Sequence, residues 1–228
     1  MLLHQLLVFS SITITTCSTD SRAGGITGGS ATASSNRIVR VPGGIVYGTA
    51  WRGEATASLA WTAFEAGFRA FDTANQPRHY NESALGAVVR MAAERGVPRS
   101  ALWLQTKFTH PSGHTTPQPE SHDQLGESPS AVAGLAPYSV SASTDEQVKQ
   151  SFRSSLEQLG TSYVDALFLH APAGRAGQLA ASDWAAWRAM EALALSGHAR
   201  ALGVSNVDAA QLRALLSGDG NSSGAYPS

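Results

Sequence analysis

Val164-Asp165-Ala166-Leu167-Phe168-Leu169-His170 and Ala201-Leu202-Gly203-Val204-Ser205-Asn206 are two short apolar runs, each ending on polar residues. Between them, Ser182 to Leu195 reads as a helix that opens on Ser182-Asp183 and stops before Gly197. This strand–helix–strand reading decides the fold, because the same unit recurs upstream. Leu102-Trp103-Leu104 runs into Thr106-Lys107, Ala70-Phe71 into Asp72, and Ile45-Val46-Tyr47 into Gly48-Thr49-Ala50. Helical patterns separate them over Ala55 to Ala66, Glu82 to Arg95 and Thr144 to Leu159. Leu85, Val88, Val89 and Ala92 recur at helical spacing, as do Val148, Phe152, Leu156 and Leu159. Thr144 with Gln147 fits a capping box, and Asp208 is placed to cap a last helix to Leu216.

Five strand–helix units in series predict a parallel sheet covered by helices. Short, apolar strands suit burial on both faces. Parallel strands all point one way, so Asp72, Lys107, His170 and Ser205 should share one rim. That rim is where barrels and open α/β enzymes place their chemistry.

Composition narrows the classes further. The 228 residues make one domain or one and a half at about 100–200 residues each. With 43% hydrophobic and 14% charged residues, the chain is neither a disordered tail nor a coiled coil. A net charge of −1 lacks the basic field of a nucleic-acid binder, so no nucleic-acid partner is expected. Cys17 is the sole cysteine, which excludes an intramolecular disulfide and any multi-cysteine metal site. No apolar run reaches about 18 residues, so no membrane span is expected.

Residues 1–36 form an N-terminal segment. Its first part is apolar without a basic start, and a cleaved signal or transit peptide and a disordered start both fit. Ser21 to Asn36 reads as a linker; Gly24, Gly25, Gly28 and Gly29 match no nucleotide fingerprint. Residues 37–216 hold the regular pattern, and 217–228 read as a disordered tail. Thr109 to Ala142 contains five prolines and little periodicity, which suggests a loop inserted over the substrate. Its His110, His114, Glu120, His122 and Asp123 match no zinc spacing, so no metal site is expected. Trp51, Trp184 and Trp187 read as packing or pocket wall.

Several stretches in register resemble the aldo-keto reductase family. Gly67 to Ala74 (Gly-Phe-Arg-Ala-Phe-Asp-Thr-Ala), Tyr80-Asn81-Glu82 and Leu85-Gly86 are similar to its second strand and helix. Gln105-Thr106-Lys107 is similar to its lysine strand. Ser151-Phe152, Ser155-Leu156, Leu159-Gly160-Thr161, Tyr163-Val164-Asp165 and Leu169-His170 resemble its third helix and fourth strand. Gly203-Val204-Ser205-Asn206 resembles its fifth. The likeness covers roughly residues 45 to 216 in the family's order.

That resemblance implies a parallel (β/α)₈ TIM-type barrel that reduces aldehydes or ketones to alcohols by hydride transfer from NADPH, with a tyrosine as general acid. It puts the catalytic aspartate on Asp72, the lysine on Lys107, the histidine on His170 and the tyrosine on Tyr80. Thr49, Ser205 and Asn206 would line the cofactor pocket, the last two bonding the nicotinamide carboxamide. The family usually has four residues between aspartate and tyrosine; here there are seven, Thr73 to His79. Counting back from Asn81-Glu82 lands on His79 instead, but only Tyr80 carries the right chemistry. A free phenol, with pKa about 10, gives up its proton poorly near neutrality. A nearby ammonium should lower that value, Asp72 should hold Lys107, and His170 should bond the carbonyl oxygen. Singly, these residues would be a turn cap, a solvated strand end, a loop histidine and a packing tyrosine; together and in order they form a set.

Five units are present where the barrel needs eight. By the resemblance, the other three carry the aromatic residue that stacks on the nicotinamide and the basic loop that holds the adenosine phosphates. The expectation is therefore a truncated form that keeps its catalytic residues and binds NADPH poorly or not at all. The competing reading is a non-catalytic relative, a fragment or regulatory subunit whose partner protein covers the open sheet edges. The family default for location is cytoplasmic.

Overall fold

The computed structural model describes residues 40–115 and 136–218. The expectations for the N-terminal segment, most of the tail, and Glu120, His122 and Asp123 lie outside the described residues. The described chain runs β1 (Tyr47–Gly48), α1 (Thr56–Glu65), β2 (Ala70–Asp72), α2 (Glu82–Glu94) and β3 (Trp103–Phe108). It continues through a short α3 (Pro111–Thr115), α4 (Thr144–Leu159), β4 (Ala166–Leu169), α5 (Ala181–Leu195), β5 (Leu202–Val204) and α6 (Ala209–Ser217). The five strands form one parallel sheet in chain order.

The two-residue period of a strand sorts its side chains to two faces. In β3, Leu104 and Phe108 enter the larger core with Phe71, Leu167, Leu169 and Leu202. Leu85, Val88 and Val89 of α2, Val148 and Phe152 of α4 and Met190 of α5 complete it. Trp103 faces the other way and packs with Ala70, Ala166, Phe168 and Ala201. On that inner face a side chain at Gly203 would run into the Phe168 ring. On the outer side α2 and α4 meet closely, and a methyl at Gly86 would strike the backbone carbonyl of Gln158. These are two places where only glycine fits.

Several element ends differ from the sequence expectation. The cap of α4 is Ser143, one residue early: its backbone is extended and its hydroxyl accepts from the Glu146 amide at 3.4 Å. Thr144 is already helical, and the Gln147 amide donates instead to the Val140 and Ala142 carbonyls. The ladder of β4 begins at Ala166 rather than Val164, which makes only an isolated bridge to Ala199. The intervening Asp165 explains this, since its buried carboxylate takes the Leu104 amide (3.0 Å) and pairs with Arg99 (2.8 Å) and Arg200 (3.2 Å). Asp183 does not start α5 but sits inside its first turn, accepting from the amides of Ala173, Gly174 and Ala180. Asp208 does cap α6, accepting from Ala210 and Gln211 at 2.9 Å each. The long segment after β3 opens with α3 rather than as plain loop, and Tyr138 returns to it by donating to the Thr109 carbonyl at 2.6 Å. No described helix is long and apolar enough to cross a membrane, and no described cluster of three or more His, Cys, Asp or Glu is placed to hold a metal.

Candidate active site

The C-terminal ends of β2, β3 and β4 bring Asp72, Lys107 and His170 to one rim. Asp72 and Lys107 are each only 4% exposed. Lys107 Nζ lies 2.6 Å from both carboxylate oxygens and donates to the Thr73 carbonyl at 2.8 Å. A buried ammonium and carboxylate are tolerable only when paired and hydrogen-bonded in this way.

Tyr80 closes the group. Lys107 Nζ stands 4.9 Å from the centre of its ring, and the His170 ring meets it edge-on at 5.8 Å. The extra residues before Tyr80 are taken up by a turn in which the Gln76 carbonyl accepts from both His79 and Tyr80, at 3.0 Å each. His79 points elsewhere: Nδ1 contacts Gln76 Oε1 at 2.9 Å and the ring lies 3.7 Å from that of Trp51. Trp51 is 53% exposed, sits at φ 59° and covers the His79 ring, so it is not core packing. Trp187, by contrast, is buried and Trp184 half-buried against the helical core.

Burial raises the Tyr80 phenol above its ordinary 10, with Asp72 adding to the effect. Lys107 pulls it down by charge and hydrogen bond, as anticipated, but burial outweighs that pull. His170 is pushed down to about 3, first by burial and then by Lys107, His79 and His114. His79 falls to about 4 through burial, Arg78 and His114. The rim at neutral pH therefore holds a protonated phenol beside neutral imidazoles.

The remaining predicted residues flank this centre. Thr49 is fully buried; its hydroxyl and amide both bond the Asp72 carbonyl, at 2.8 and 3.1 Å, so it braces the end of β2. Asn206, at φ 55°, donates to the His170 carbonyl (2.7 Å) and to Ser205 Oγ (3.1 Å). Ser205 donates its amide to Leu169 at 2.9 Å, which fixes it at the end of β5.

Two groups escaped the sequence reading. Gln105 donates to Asp72 Oδ1 at 2.8 Å, with its own carbonyl oxygen held by the Trp103 indole at 3.0 Å. A polar residue two places before Lys107, on the same face of a buried strand, was the available signal. Glu82, quoted only as part of a motif, lies fully buried at the start of α2 and accepts from Thr106 Oγ1 at 2.5 Å. Burial pushes its carboxyl up to about 7 against the pull of Thr106, Ser155 and Lys107. The folded state thus keeps a proton that the unfolded chain releases near its ordinary value. Stability should be full at acid pH and decline as pH rises toward and through 7. In urea titrations across pH 5–8, Glu82→Gln should flatten this decline; an unchanged slope would assign it to another group.

A parallel helix-covered sheet with an ion pair, a phenol and an imidazole at its C-terminal rim places this chain among α/β proteins of the (β/α)₈ barrel type. The particular family follows from comparison: this chain belongs to the Aldo/keto reductase family, whose description matches residues 45–225. It is 33% identical over 150 residues to an aldo-keto reductase of Mycolicibacterium vanbaalenii, covering 66% of this chain and 40% of that protein. A Mycolicibacterium smegmatis relative is 31% identical over 174 residues, or 76% of this chain and 47% of its own length. The chain thus spans about half the length of the curated relatives it matches, or somewhat less. Among solved structures, an aldo/keto reductase from Brucella melitensis superposes with TM-score 0.54 at 26% identity, covering 77% of this chain and 54% of that one. A Bombyx mori aldo-keto reductase in complex with NADP shares the fold, with TM-score 0.57 at 22% identity over 88% of this chain and 57% of that one.

Proposed function

We propose that this chain supplies the catalytic rim of an NADP-dependent reductase that converts aldehydes or ketones to alcohols. The observation that carries it is the Tyr80 phenol set against the Lys107 ammonium and the edge of the His170 ring. Family membership and solved relatives named as NADPH or NADP complexes support the cofactor. The rim also fits a nicotinamide carboxamide. With Asn206 Nδ2 engaged, its Oδ1 is left to accept, and the Ser205 hydroxyl, accepting from Asn206, keeps its proton to donate.

When bound, NADPH supplies the hydride for the carbonyl carbon. The protein's task is the oxygen. Tyr80 holds the proton and releases it to that oxygen as negative charge develops. Lys107 then faces the phenolate, and Asp72 keeps Lys107 charged and in place. His170, neutral throughout, hydrogen-bonds the same oxygen and fixes the approach of the carbonyl. Because the chain spans about half of its relatives, the activity is proposed for the protein of which these residues form the rim.

The test is NADPH binding by fluorescence, followed by NADPH consumption with a panel of aldehydes and ketones. Carbonyl-dependent consumption supports the reading. A folded chain that binds NADPH and yet oxidises it with no carbonyl of the panel would favour the non-catalytic alternative.

A further inference from the structure

We propose that Thr109 is a positioning residue for His170: its hydroxyl donates to Nδ1 and so fixes the imidazole proton on Nε2, the nitrogen that must donate to a carbonyl oxygen. The role of His170 rests on the functional reading above; the tautomer rests on geometry.

The two side chains meet at 2.8 Å between Thr109 Oγ1 and His170 Nδ1. A neutral imidazole carries one proton, so this contact has two forms. If Nδ1–H donates, the threonine hydroxyl proton needs another acceptor. Thr109 is 4% exposed, and among the described residues its hydroxyl has no second partner. Only the form in which the hydroxyl donates leaves no buried proton unsatisfied. The imidazole is neutral because burial, Lys107, His79 and His114 all oppose its charge.

Both partners are held from several sides. The Thr109 carbonyl accepts from the Tyr138 hydroxyl at 2.6 Å. A side chain at Gly113 would come within 2.6 Å of Thr109 Cγ2, so the bare glycine of α3 packs on that methyl and turns Oγ1 toward His170. His170 donates its amide to Phe108 at 2.9 Å, and its carbonyl accepts from Asn206 at 2.7 Å. These bonds fix the two backbones, which sets the ring and the hydroxyl 2.8 Å apart. Rim chemistry thereby reaches one residue beyond the family's four catalytic positions, into the start of the long segment after β3.

The experiment is ¹⁵N spectroscopy of the histidine rings in the 228-residue chain, with His170→Gln identifying the His170 signals. The expected wild-type spectrum has a lone-pair-type Nδ1 and a proton-bearing Nε2. Thr109→Val, which keeps the shape and removes the hydroxyl, should give a mixture of tautomers; Thr109→Ser should restore the wild-type pattern. In carbonyl reduction, Thr109→Val should lower kcat about tenfold without altering NADPH binding. A wild-type proton on Nδ1, or a Thr109→Val spectrum identical to wild type, overturns the proposal. The spectrum needs no turnover, so a chain that reduced no carbonyl would defeat the functional reading while the tautomer was still decided.

Discussion

Replacing Lys107 with methionine is expected to cost the fold about 3–5 kcal/mol, because it strands a buried carboxylate. Asp72 would keep the Gln105 amide on one oxygen and lose the only cation in contact with it among the described residues. The methionine fills the same space, so lost packing is a small part of the effect. Lys107→Met combined with Asp72→Asn removes the orphaned charge and should recover most of the stability. Urea denaturation of the single and double variants measures both. If the double variant is as unstable as Lys107→Met alone, the buried charge is not the cause. Neither variant should reduce carbonyls, so stability and activity would part company in the double variant.

Tyr80→Phe should lower carbonyl reduction by about 10²–10⁴-fold, the usual worth of a positioned general acid. The ring stays, so its edge-on contact with His170 and its place beside Lys107 survive. NADPH binding and thermal stability should therefore change little. The pH dependence supplies a second signature. The protonated phenol is the active form, and burial raises its pKa above 10. Reduction should hold level across the neutral range and fall only in alkali, with the fall absent from the residual activity of Tyr80→Phe. His170, at about 3, adds no limb between pH 5 and 8. Initial rates with one aldehyde from pH 5 into alkali beyond 10 check both points, and His79→Gln is the companion variant. If His79→Gln abolishes the rate and Tyr80→Phe spares it, the acid is misassigned.

Much of this was legible before any coordinates. The five strand–helix units follow from apolar runs and helical periodicity, and Asp72, Lys107 and His170 stood at strand ends, where direction alone puts them on one rim. What failed to show depends on pairing across the sheet. Nothing in the local pattern says that Asp165 will take the Leu104 amide and shorten β4. Nothing near Gln105 says that the Trp103 indole will orient its amide toward Asp72. Thr109 was read as the first residue of a loop, and only the return of Tyr138 and the packing of α3 make it part of the rim. The cap of α4 slipped by one because Ser143 and Thr144 are both capable, and backbone geometry chooses between them.

The turn before Tyr80 bears on how such sites tolerate length change. Lengthening a connection from four residues to seven costs only about 0.5 kcal/mol in closure entropy. Here the turn's own bonds offset it: Gln76 accepts from His79 and Tyr80, contacts the His79 ring, and donates to the Gly113 carbonyl at 2.8 Å. What must be kept is where the phenol arrives in space, and the count of residues leading to it is free to drift. On the proposed reading, the seven residues from Thr73 to His79 still bring the Tyr80 phenol beside Lys107 and His170.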